Sequence, residues 1–405
     1  MRQSLWLGSF MDEKTNQTMV SQGYKNAASY VSQKNLLEGL EATTGIVFDS
    51  INAVAVAGYP KQGGTTIKQR EYMHANGARD VLVGYVNPLY LNKLFMKHAM
   101  VNAVKHWVDA RYTGGELDVF IYEMRSACLS AAKYIKKKIP RAKVHLIIPD
   151  LPCFMDMNMN GLKRILKRID FNQMMSQFDF VEDFFPYAET MVDYLGIRDR
   201  RWMVMEGSIN QKDIEKITSE IDKVGRQKCK KNIVMYSGWV DESFGIDVLV
   251  DAMEYLDDSY ELWITGGGPY EASLKQQVTH NSRIKYFGFL PTREELFKLQ
   301  AQASVMMNIR NPQMEAAHYC FPSKLFEYML LGVPVLSVKL RGIPEEYKQF
   351  LFEFENLDAR SIASAIQSVI ADKDSYDKAL AGRRFIEKYK NNYAMAKKMI
   401  KFIEE

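Results

Sequence analysis

Short apolar runs typical of buried strands alternate with amphipathic helical segments along most of the chain, and this alternation is the strongest constraint on the fold. The runs are SLWLGSF, INAVAVAGYP, DVLVGYV, LDVFIYEM and KVHLIIPD in the first half, and NIVMYSG, YELWITGG, IKYFGFL, ASVMMNI and VPVLSV in the second. Such alternation predicts parallel sheets with helices on both faces. Because the pattern occurs twice, we expect an α/β protein with two doubly wound, Rossmann-like domains that face a central cleft.

The domain boundaries follow from length and local composition. A chain of 405 residues is too long for one ordinary core, so two domains are expected. The polar, charged stretch NQKDIEKITSEIDKVGRQKCKK predicts a linker over residues 208–230, between an N-terminal domain over 1–207 and a C-terminal domain over 231–375. Residues 376–405 are predicted to be helical, to close the chain and to pack back toward the N-terminal domain.

Charge and composition exclude several classes of protein. The net charge is +4, with +5 in residues 1–210 and −1 in the remainder. This excess is too small to indicate nucleic-acid binding, although it favours contact with an anionic membrane surface. No run of about 18 apolar residues predicts a transmembrane helix. The four cysteines form no CxxC pair, which predicts thiols in a reducing cytoplasm and no zinc site.

Glycines follow three predicted strands of the second domain, at Gly238, at 266–268 and at Gly288, and Thr292 is placed to cap the helix that follows the last of these strands. Glycine allows a ligand to approach the backbone, and helix N-termini favour anions. A tight strand-to-helix turn is the structural alternative at each glycine. Three such junctions together predict an open crevice at the strand ends, where ligands of doubly wound sheets bind.

A nucleoside diphosphate in this crevice requires a fixed cation. Each helix N-terminus supplies roughly half an elementary charge, so two of them leave about one of the two negative charges uncompensated. The basic residues that follow predicted strands are Arg310 and Lys324. We therefore expect these two side chains to neutralise the diphosphate.

The segment FPSKLFEYMLLGVPVLS, residues 321–337, predicts a short helix that is capped by Ser323 and ended by Gly332, followed by a buried strand. Glu327 stands in the apolar part of this helix. An unpaired buried carboxylate costs several kcal/mol, so it must meet a polar group. Either Lys324 pairs with it at i,i+3 spacing or a ligand does.

Four segments of the second half resemble the nucleotide-sugar domain of family 4 glycosyltransferases, which have the GT-B fold: SGWVDESFGIDVLVDAM, TGGGPYEASL, IKYFGFLPTREEL and FPSKLFEYMLLGVPVLS. Residues 308–312, 321–328 and 342–347 are similar to the pattern of the subgroup that makes bacterial capsule and exopolysaccharide. The resemblance covers about residues 230–350.

This resemblance implies a retaining glycosyltransferase of the hexosyltransferase type. No DxD-type metal site stands in a suitable strand-end loop, so we expect neither a metal ion nor another cofactor. The donor would be a nucleotide diphosphate sugar, with UDP-sugar expected, and the acceptor a saccharide hydroxyl, with a lipid-linked saccharide expected. By the same resemblance Glu327 would hold the ribose hydroxyls. The acceptor would attack from the face that the diphosphate leaves, and the diphosphate would accept the proton while Arg310 and Lys324 stabilise its charge.

Three positions depart from the family pattern. Trp239 and Phe244 stand where the family commonly has an arginine and a lysine, and Tyr319 stands where the first of its paired glutamates would fall. We infer that Arg310 and Lys324 replace the lost cations. Glu315 is expected to replace the lost carboxylate near the sugar, with a solvated loop position as the alternative.

Carboxylates that follow strands of the first domain could orient or deprotonate an acceptor hydroxyl. Asp150 is the preferred candidate and Glu123 the second, with helix-cap or turn roles as alternatives. The expected catalytic residues are thus Asp150, Glu315, Arg310 and Lys324. The expected substrate-binding residues are Gly8, Ser9, Gly238, Trp239, Gly267, Gly268, Gly288, Phe289, Pro322, Ser323 and Glu327.

The segment GLKRILKRIDF predicts a helix with an apolar stripe of Leu162, Ile165, Leu166 and Ile169, flanked by Lys and Arg. This pattern is typical of a helix at an anionic membrane surface, here the inner face of the cell membrane, but core packing has the same periodicity. Two other functions stay open: a nucleotide-sugar epimerase, and a non-catalytic partner subunit of another transferase.

Overall fold

The computed structural model describes residues 2–21, 27–61, 64–154, 161–224, 230–290 and 292–405. The chain divides into two compact units. Unit 1 comprises Met1–Ser208 and Asn392–Glu405, and unit 2 comprises Ile209–Asn391. Each unit contains its own parallel sheet, as the alternation of strand-like and helical segments predicts.

The strands of unit 1 are β1 Arg2–Gly8, β2 Asp49–Asn52, β3 Thr66–Ile67, β4 Arg70–Tyr72, β5 Asp80–Leu82, β6 Tyr85–Val86, β7 Glu116–Tyr122, β8 Lys143–Ile148, β9 Asp183–Pro186 and β10 Arg201–Trp202. Its helices before residue 208 are α1 Glu13–Ser21, α2 Ala27–Thr44, α3 Asn92–Arg111, α4 Ser126–Lys138, α5 Leu162–Met175 and α6 Thr190–Tyr194.

The main sheet of unit 1 has the strand order β10-β9-β8-β7-β1-β2-β5-β4. Its neighbours are parallel except β4, which runs antiparallel to β5 at one edge. The predicted strand INAVAVAGYP is wrong beyond Asn52, where the backbone continues as a loop. There Gly58 lies so close to Leu89 that an added Cβ would be 2.7 Å from its Cα. Apolar composition alone could not show this local packing.

Two buried histidines of unit 1 lie between pairs of carboxylates. His145 is fully buried and contacts Asp118 at 3.1 Å and Asp183 at 2.9 Å. His74 contacts Asp80 at 2.8 Å and Glu41 at 3.0 Å. Burial opposes protonation, but the hydrogen bonds to Asp80 and Glu41 raise the pKa of His74 to about 9.

Unit 2 contains the strands β11 Asn232–Ser237, β12 Tyr260–Thr265, β13 Ile284–Gly288, β14 Val305–Asn308, β15 Val335–Val338 and β16 Phe352–Phe354. Its helices are α7 Gln211–Val224, α8 Ile246–Asp251, α9 Glu271–His280, α10 Arg293–Gln300, α11 Glu315–His318, α12 Lys324–Leu330, α13 Glu345–Lys348, α14 Ala359–Ala371 and α15 Ser375–Tyr389. The remaining helix, α16 Asn392–Glu404, belongs to unit 1.

The sheet of unit 2 has the order β13-β12-β11-β14-β15-β16 and is parallel throughout. Its central strands are almost completely buried, as continuous apolar runs predict. Because parallel strands end at one edge, the loops that follow β11, β12, β13 and β14 are brought together there. The candidate residues of unit 2 lie in or near these loops.

The unit boundaries differ from the predicted domains at both ends of unit 2. The predicted linker contains α7, whose Ile214 and Ile217 are buried in the core of this unit. The overall composition of this segment is polar, but Ile214, Ile217 and Ile221 recur at helical spacing, so the periodicity indicates a helix with one apolar face. Residues 376–405 are divided, because α15 belongs to unit 2 and α16 to unit 1.

Candidate anion-binding site in unit 2

Two glycine-containing loops pack directly against each other at the ends of β11 and β12. A Cβ added to Gly266 would be 1.8 Å from the carbonyl oxygen of Gly238, and one added to Gly268 would be 2.1 Å from that of Val240. Both glycines are therefore required for loop packing. Gly267 has only the Glu271 carboxylate within 4 Å of such a Cβ, at 3.9 Å, so it is the open position of the three.

Ser237, the last residue of β11, is held by three neighbouring side chains. Its backbone N–H donates to the hydroxyl of Tyr328 at 3.1 Å, and that hydroxyl donates to its carbonyl oxygen at 2.6 Å. Its own hydroxyl accepts from Thr265 at 2.9 Å and from Gln300 at 3.0 Å. These bonds fix the point at which the chain turns into the loop.

Lys324 begins α12 and extends to this turn. The residue as a whole is exposed, yet its ammonium donates to the carbonyl oxygen of Ser237 at 2.6 Å and lies 5.7 Å from the ring centre of Tyr236. Gly238 leaves room for it, since an added Cβ would be 2.1 Å from Nζ. Burial of the ammonium lowers the pKa of Lys324 to about 8, against the opposing charge of Glu327.

Arg310 follows β14 and lies over the residue that departs from the family pattern. Its guanidinium is 5.2 Å from the ring centre of Phe244, where the resemblance expects a lysine. Nη1 donates to Sγ of Cys320 at 2.9 Å, whereas the buried Nε has no hydrogen-bond partner among the described residues. The guanidinium therefore keeps a donor that the described part of the chain leaves unsatisfied.

Tyr236 connects the two cations. Its hydroxyl donates to the carbonyl oxygen of Trp239 at 2.9 Å. Burial raises the pKa of this phenol, while the charge of Arg310 lowers it. Lys324 lies over the ring of Tyr236, and Arg310 lies over Phe244 in the loop that follows β11, so both positive charges lie beside the end of this strand and its loop.

Glu327 has a partner that neither sequence-based alternative included. Nη2 of Arg293, the first residue of α10, donates to its carboxylate at 2.6 Å, and Nη1 of Arg293 donates to Asp213 at 3.2 Å. The Glu327 side chain is 29% exposed. Its carboxylate is therefore already neutralised and remains within reach of solvent.

The helix that carries Lys324 and Glu327 begins as predicted, but its cap is different. Ser323 precedes the first helical residue, yet it has helical backbone angles and makes no side-chain cap hydrogen bond. It is exposed, and Pro322 is partly buried beside it. The expected Ser323 cap is therefore wrong.

Aromatic residues are exposed at the same strand ends. Phe289 follows Gly288, which has a φ of +64°, and its side chain is 86% exposed. Trp239 is half exposed, and its Nε1 donates to Asp241 at 3.2 Å. Glu315 is exposed at the start of α11. These side chains offer flat apolar surface and a carboxylate in the loops that follow β11, β13 and β14.

A cavity of about 530 Å³ opens beside the ends of β11, β14 and β16, but its lining is acidic. The carboxylates around it are those of Glu242, Asp247, Glu355 and Asp358. An anion is therefore expected at Lys324 and Arg310, which do not line this cavity. The described residues contain no cluster of three or more His, Cys, Asp or Glu side chains arranged to hold a metal ion.

The strand ends of unit 1 have a different chemistry. Ser9, after β1, is buried, and its hydroxyl accepts from the amide of Gln33 at 2.9 Å. Gly8 makes this contact possible, because an added Cβ would be 2.3 Å from Oε1 of Gln33. Within unit 1, the predicted substrate-binding residues Gly8 and Ser9 therefore contact Gln33.

The two carboxylates predicted in unit 1 differ in exposure, because Glu123 is half-buried and Asp150 is exposed. Glu123, after β7, has a φ of +73°, accepts from the hydroxyl of Ser29 at 2.5 Å and pairs with Arg125. A non-glycine residue in this conformation persists only where its surroundings require it. Asp150, after β8, is exposed.

The whole chain is similar in structure to several solved proteins. The structure is similar over 100% of its length, and 98% of the other chain, to sucrose-phosphate synthase from Thermosynechococcus elongatus, with a TM-score of 0.66 and 15% identity. It is similar over 99% of both chains to Anabaena HepE in complex with UDP, with a TM-score of 0.63 and 13% identity. The catalytic domain of starch synthase IV from Arabidopsis thaliana, bound to ADP and acarbose, matches over 99% of this chain and 98% of that one, with a TM-score of 0.60 and 10% identity. The chain has the two-domain α/β fold with parallel sheets that is called GT-B.

Part of the chain also matches a known protein family. Residues 230–372 match the family model described as Glycosyl transferases group 1. This range contains Lys324, Arg310, Glu327 and the glycine loops. A search of curated proteins found no match to the chain.

Two important residues of the site were missed by the sequence analysis. Tyr236 gives no signal beyond its place before the Ser-Gly turn. Arg293 does, because it follows Thr292, which caps α10 by accepting from the N–H of Glu295 at 3.2 Å. A cation at the start of a helix in the strand-end loops could have been tested as a partner for Glu327.

Proposed function

We propose that the protein is a glycosyltransferase that moves a sugar from a nucleotide diphosphate sugar to a hydroxyl of a saccharide acceptor. The single observation that carries this proposal is the pair of cations, Lys324 and Arg310, directed to the end of β11. The match of residues 230–372 to group 1 glycosyl transferases supports it.

Uridine is the proposed base. HepE was solved with UDP and with UDP-glucose, whereas starch synthase IV was solved with ADP, so the fold by itself accommodates both. The exposed ring of Phe289 provides a surface on which a base can pack. Glu327 would accept hydrogen bonds from the ribose hydroxyls, with Arg293 holding the carboxylate in place.

The proposed reaction proceeds with retention and without a metal ion or other cofactor. The acceptor hydroxyl attacks from the face that the diphosphate leaves, and the leaving diphosphate takes its proton. Positive charge that is already in place stabilises the developing negative charge without further reorganisation. Lys324 and Arg310 would supply this charge in place of the family's usual arginine and lysine. Asp150 and Glu315 remain proposed residues for the acceptor and the donor sugar.

Capsule or exopolysaccharide synthesis is the proposed setting, because residues 308–312, 321–328 and 342–347 resemble the pattern of that subgroup. The acceptor would be lipid-linked, and the enzyme would work in the cytoplasm at the inner face of the cell membrane. No helix among the described residues is long and apolar enough to cross a membrane. Among the described cysteines, Cys128, Cys153 and Cys320 form no disulfide, while Cys229 lies outside the described residues.

A second candidate, a non-catalytic subunit that stabilises a partner transferase, is favoured by Trp239 and Phe244. Both replace charged residues of the resembled family with aromatic ones. Such a subunit would retain the fold and lose the transfer activity.

The purified full chain decides between these functions. Thermal shift with UDP, ADP, GDP and their sugars should show stabilisation by the uridine compounds. Release of UDP from the matching sugar nucleotide, with and without short saccharides, is then measured in excess EDTA, and NMR assigns the anomeric configuration of the product. Binding without transfer or hydrolysis would identify the non-catalytic subunit, and conversion of the sugar without UDP release an epimerase. No binding of any nucleotide would refute the proposal.

A further inference from the structure

The apolar stripe of α5 faces away from the core of unit 1. Ile165, Leu166 and Ile169 are 58%, 49% and 57% exposed. The helix instead packs through a second apolar set, Phe171 and Met174, both of which are buried. Core packing therefore does not explain the exposed stripe, and three large aliphatic side chains on one helix face are left without a role in folding.

A second exposed apolar segment lies at the start of α3. Leu91, Leu94 and Phe95 are all exposed. The helix packs on the sheet through another set of residues: Met96, Met100, Val104 and Trp107. The exposed residues are therefore surplus to the packing of α3, as the stripe is to that of α5.

An ion pair brings these two segments together. Nζ of Lys93 in the first turn of α3 is 3.0 Å from the carboxylate of Asp170 in α5. This pair holds the first turn of α3 beside α5, and the exposed residues Leu94 and Ile169 stand next to its two members in the sequence. We call this surface the docking face; it consists of Leu91, Leu94, Phe95, Ile165, Leu166 and Ile169. Large apolar side chains that are exposed on two helices joined by an ion pair mark an interaction site.

The charge around the docking face is basic. Residues 162–170 contain four Lys or Arg and one acidic residue, Asp170, which is paired with Lys93. Arg168 is exposed beside Ile169. A second copy of this chain is a poor occupant, because a symmetric contact would place the basic flanks of both copies against each other.

We propose that the docking face binds the surface of an anionic lipid bilayer, with its aliphatic side chains among the acyl chains and its basic residues at the headgroups. Apolar burial and attraction to anionic lipid are the two terms of such binding. Two helices contribute, so the contact is larger than a single amphipathic helix provides.

The position of the docking face links it to the strand ends of unit 1. A helix that connects parallel strands runs back along the sheet, so α3 and α5 both begin at the edge where β7 and β8 end. Asp150 follows β8 at this same edge. The docking face thus brings this edge to the bilayer, where a lipid-linked acceptor would be available. Docking itself does not require the proposed transfer.

Flotation with vesicles tests the inference. The full chain is mixed with vesicles of phosphatidylcholine containing about one third phosphatidylglycerol, or with phosphatidylcholine alone, at about 0.15 M salt, where charge attraction is limited to within about 8 Å of the surface. Wild type should float with the anionic vesicles and much less with the neutral ones. Ile165→Gln/Ile169→Gln on α5 and Leu91→Gln/Leu94→Gln on α3 should each weaken binding about tenfold.

A separate variant tests the contribution of the basic residues to vesicle binding. Changing Lys163, Arg164, Lys167 and Arg168 together to Gln should weaken binding more than about tenfold. A variant with the same loss of charge changes Lys133, Lys137, Lys138 and Lys143 to Gln, and these residues are exposed. They lie in or just after α4, whose end is near the end of α3, because Arg141 Nη2 donates to the Tyr112 hydroxyl at 3.1 Å. This control should retain most of the binding.

An apolar control completes the set. Val31→Gln/Val47→Gln changes two residues that are 42% and 44% exposed elsewhere in unit 1, and it should float like wild type. Failure of wild type to bind anionic vesicles would overturn the inference, and so would equal losses in docking-face and control variants. A dimer in sedimentation that Ile165→Gln/Ile169→Gln dissociates would show that a second copy occupies the face. Transfer to a short soluble acceptor should be unchanged in every variant, which separates this test from that of the proposed function.

Discussion

The strand ends of the two units share one architecture and have opposite chemistry. In unit 2, Lys324 and Arg310 bring positive charge to the end of β11, and the described residues leave Nε of Arg310 without a hydrogen bond. In unit 1, Gln33 satisfies Ser9, and Arg125 neutralises Glu123. The doubly wound sheet supplies an edge at which loops meet, but the side chains decide whether that edge attracts an anion.

The two units also differ in the direction in which the fold shifts the pKa of a basic side chain. Hydrogen bonds to two carboxylates outweigh burial and raise the pKa of His74 in unit 1 to about 9. Burial lowers the pKa of Lys324 in unit 2 to about 8. The charge of His74 is neutralised by carboxylates, so this cation stabilises the fold. The Lys324 ammonium is bound by a neutral carbonyl oxygen, so an anionic ligand can still neutralise its charge.

The largest effect is expected at Lys324. Lys324→Met should weaken UDP binding about 100-fold and leave uridine almost unchanged, because a lost hydrogen bond to a charged group costs about 1.5–3 kcal/mol. Calorimetry measures both affinities. Lys275→Met removes an ammonium that is paired with Glu271 at 2.7 Å on α9, and it should match wild type. Equal losses for UDP and uridine would show that the lysine supports the loop and not the diphosphate.

The lowered pKa gives this site a pH signature. A bound diphosphate restores the pKa of Lys324, so binding takes up a proton above pH 8, and UDP affinity should fall by up to about tenfold per pH unit there. Lys324→Arg stays charged and should remove this slope. A flat profile in wild type from pH 7 to 10 would contradict proton-linked binding.

Variants of Glu327 and Arg293 test whether the Glu327 carboxylate binds a ligand or only forms an ion pair. Glu327→Ala should weaken UDP and uridine equally, by about 10- to 30-fold, because a ribose contact is common to both. The melting temperature should change little, since a partly exposed ion pair contributes at most about 1 kcal/mol. Arg293→Ala breaks the same pair and should weaken both ligands less. If both variants lose stability and neither loses affinity, the pair is structural.

Variants of Arg310 test whether this residue replaces the phosphate-binding cations of the resembled family. Arg310→Ala should weaken UDP about tenfold. Adding Phe244→Lys should restore most of that loss, because it returns a cation to the position where the resembled family has one. Phe244→Met in the same background is the uncharged control. Rescue by both substitutions, or by neither, would argue against a shared charge function.

The smallest effect is expected in the free energy of unfolding, which should change with pH in opposite directions in the two units. The raised pKa of His74 contributes stability that is complete below pH 6.5 and is lost as pH rises toward about 9, on the order of 1 kcal/mol. The lowered pKa of Lys324 makes unit 2 gain stability between about pH 8 and 10.5. Hydrogen exchange measured in each unit across this range should show both slopes. His74→Gln should remove the first and Lys324→Met the second, and parallel slopes would refute the contrast.

Local signals determined much of what the sequence analysis predicted correctly. Parallel strands were predicted by apolar runs, because a strand covered on both faces needs no polar positions. Thr292 caps α10, as its place before a helical segment indicates. Gly332 follows α12 with a φ of +63°, a conformation that favours glycine at a helix end. Each of these depends on a residue and its near neighbours along the chain.

Only the tertiary structure decided which partner each charged group finds. The sequence by itself offered Lys324 or a ligand for Glu327, and the fold placed Arg293 beside it, 34 positions away. It also divided residues 376–405 between the two units. The stripe of Ile165 and Ile169 shows the physical reason most clearly. The same helix carries a second apolar set, Phe171 and Met174, and periodicity cannot tell which of two apolar faces meets the core, because that depends on the surface that the neighbouring elements present.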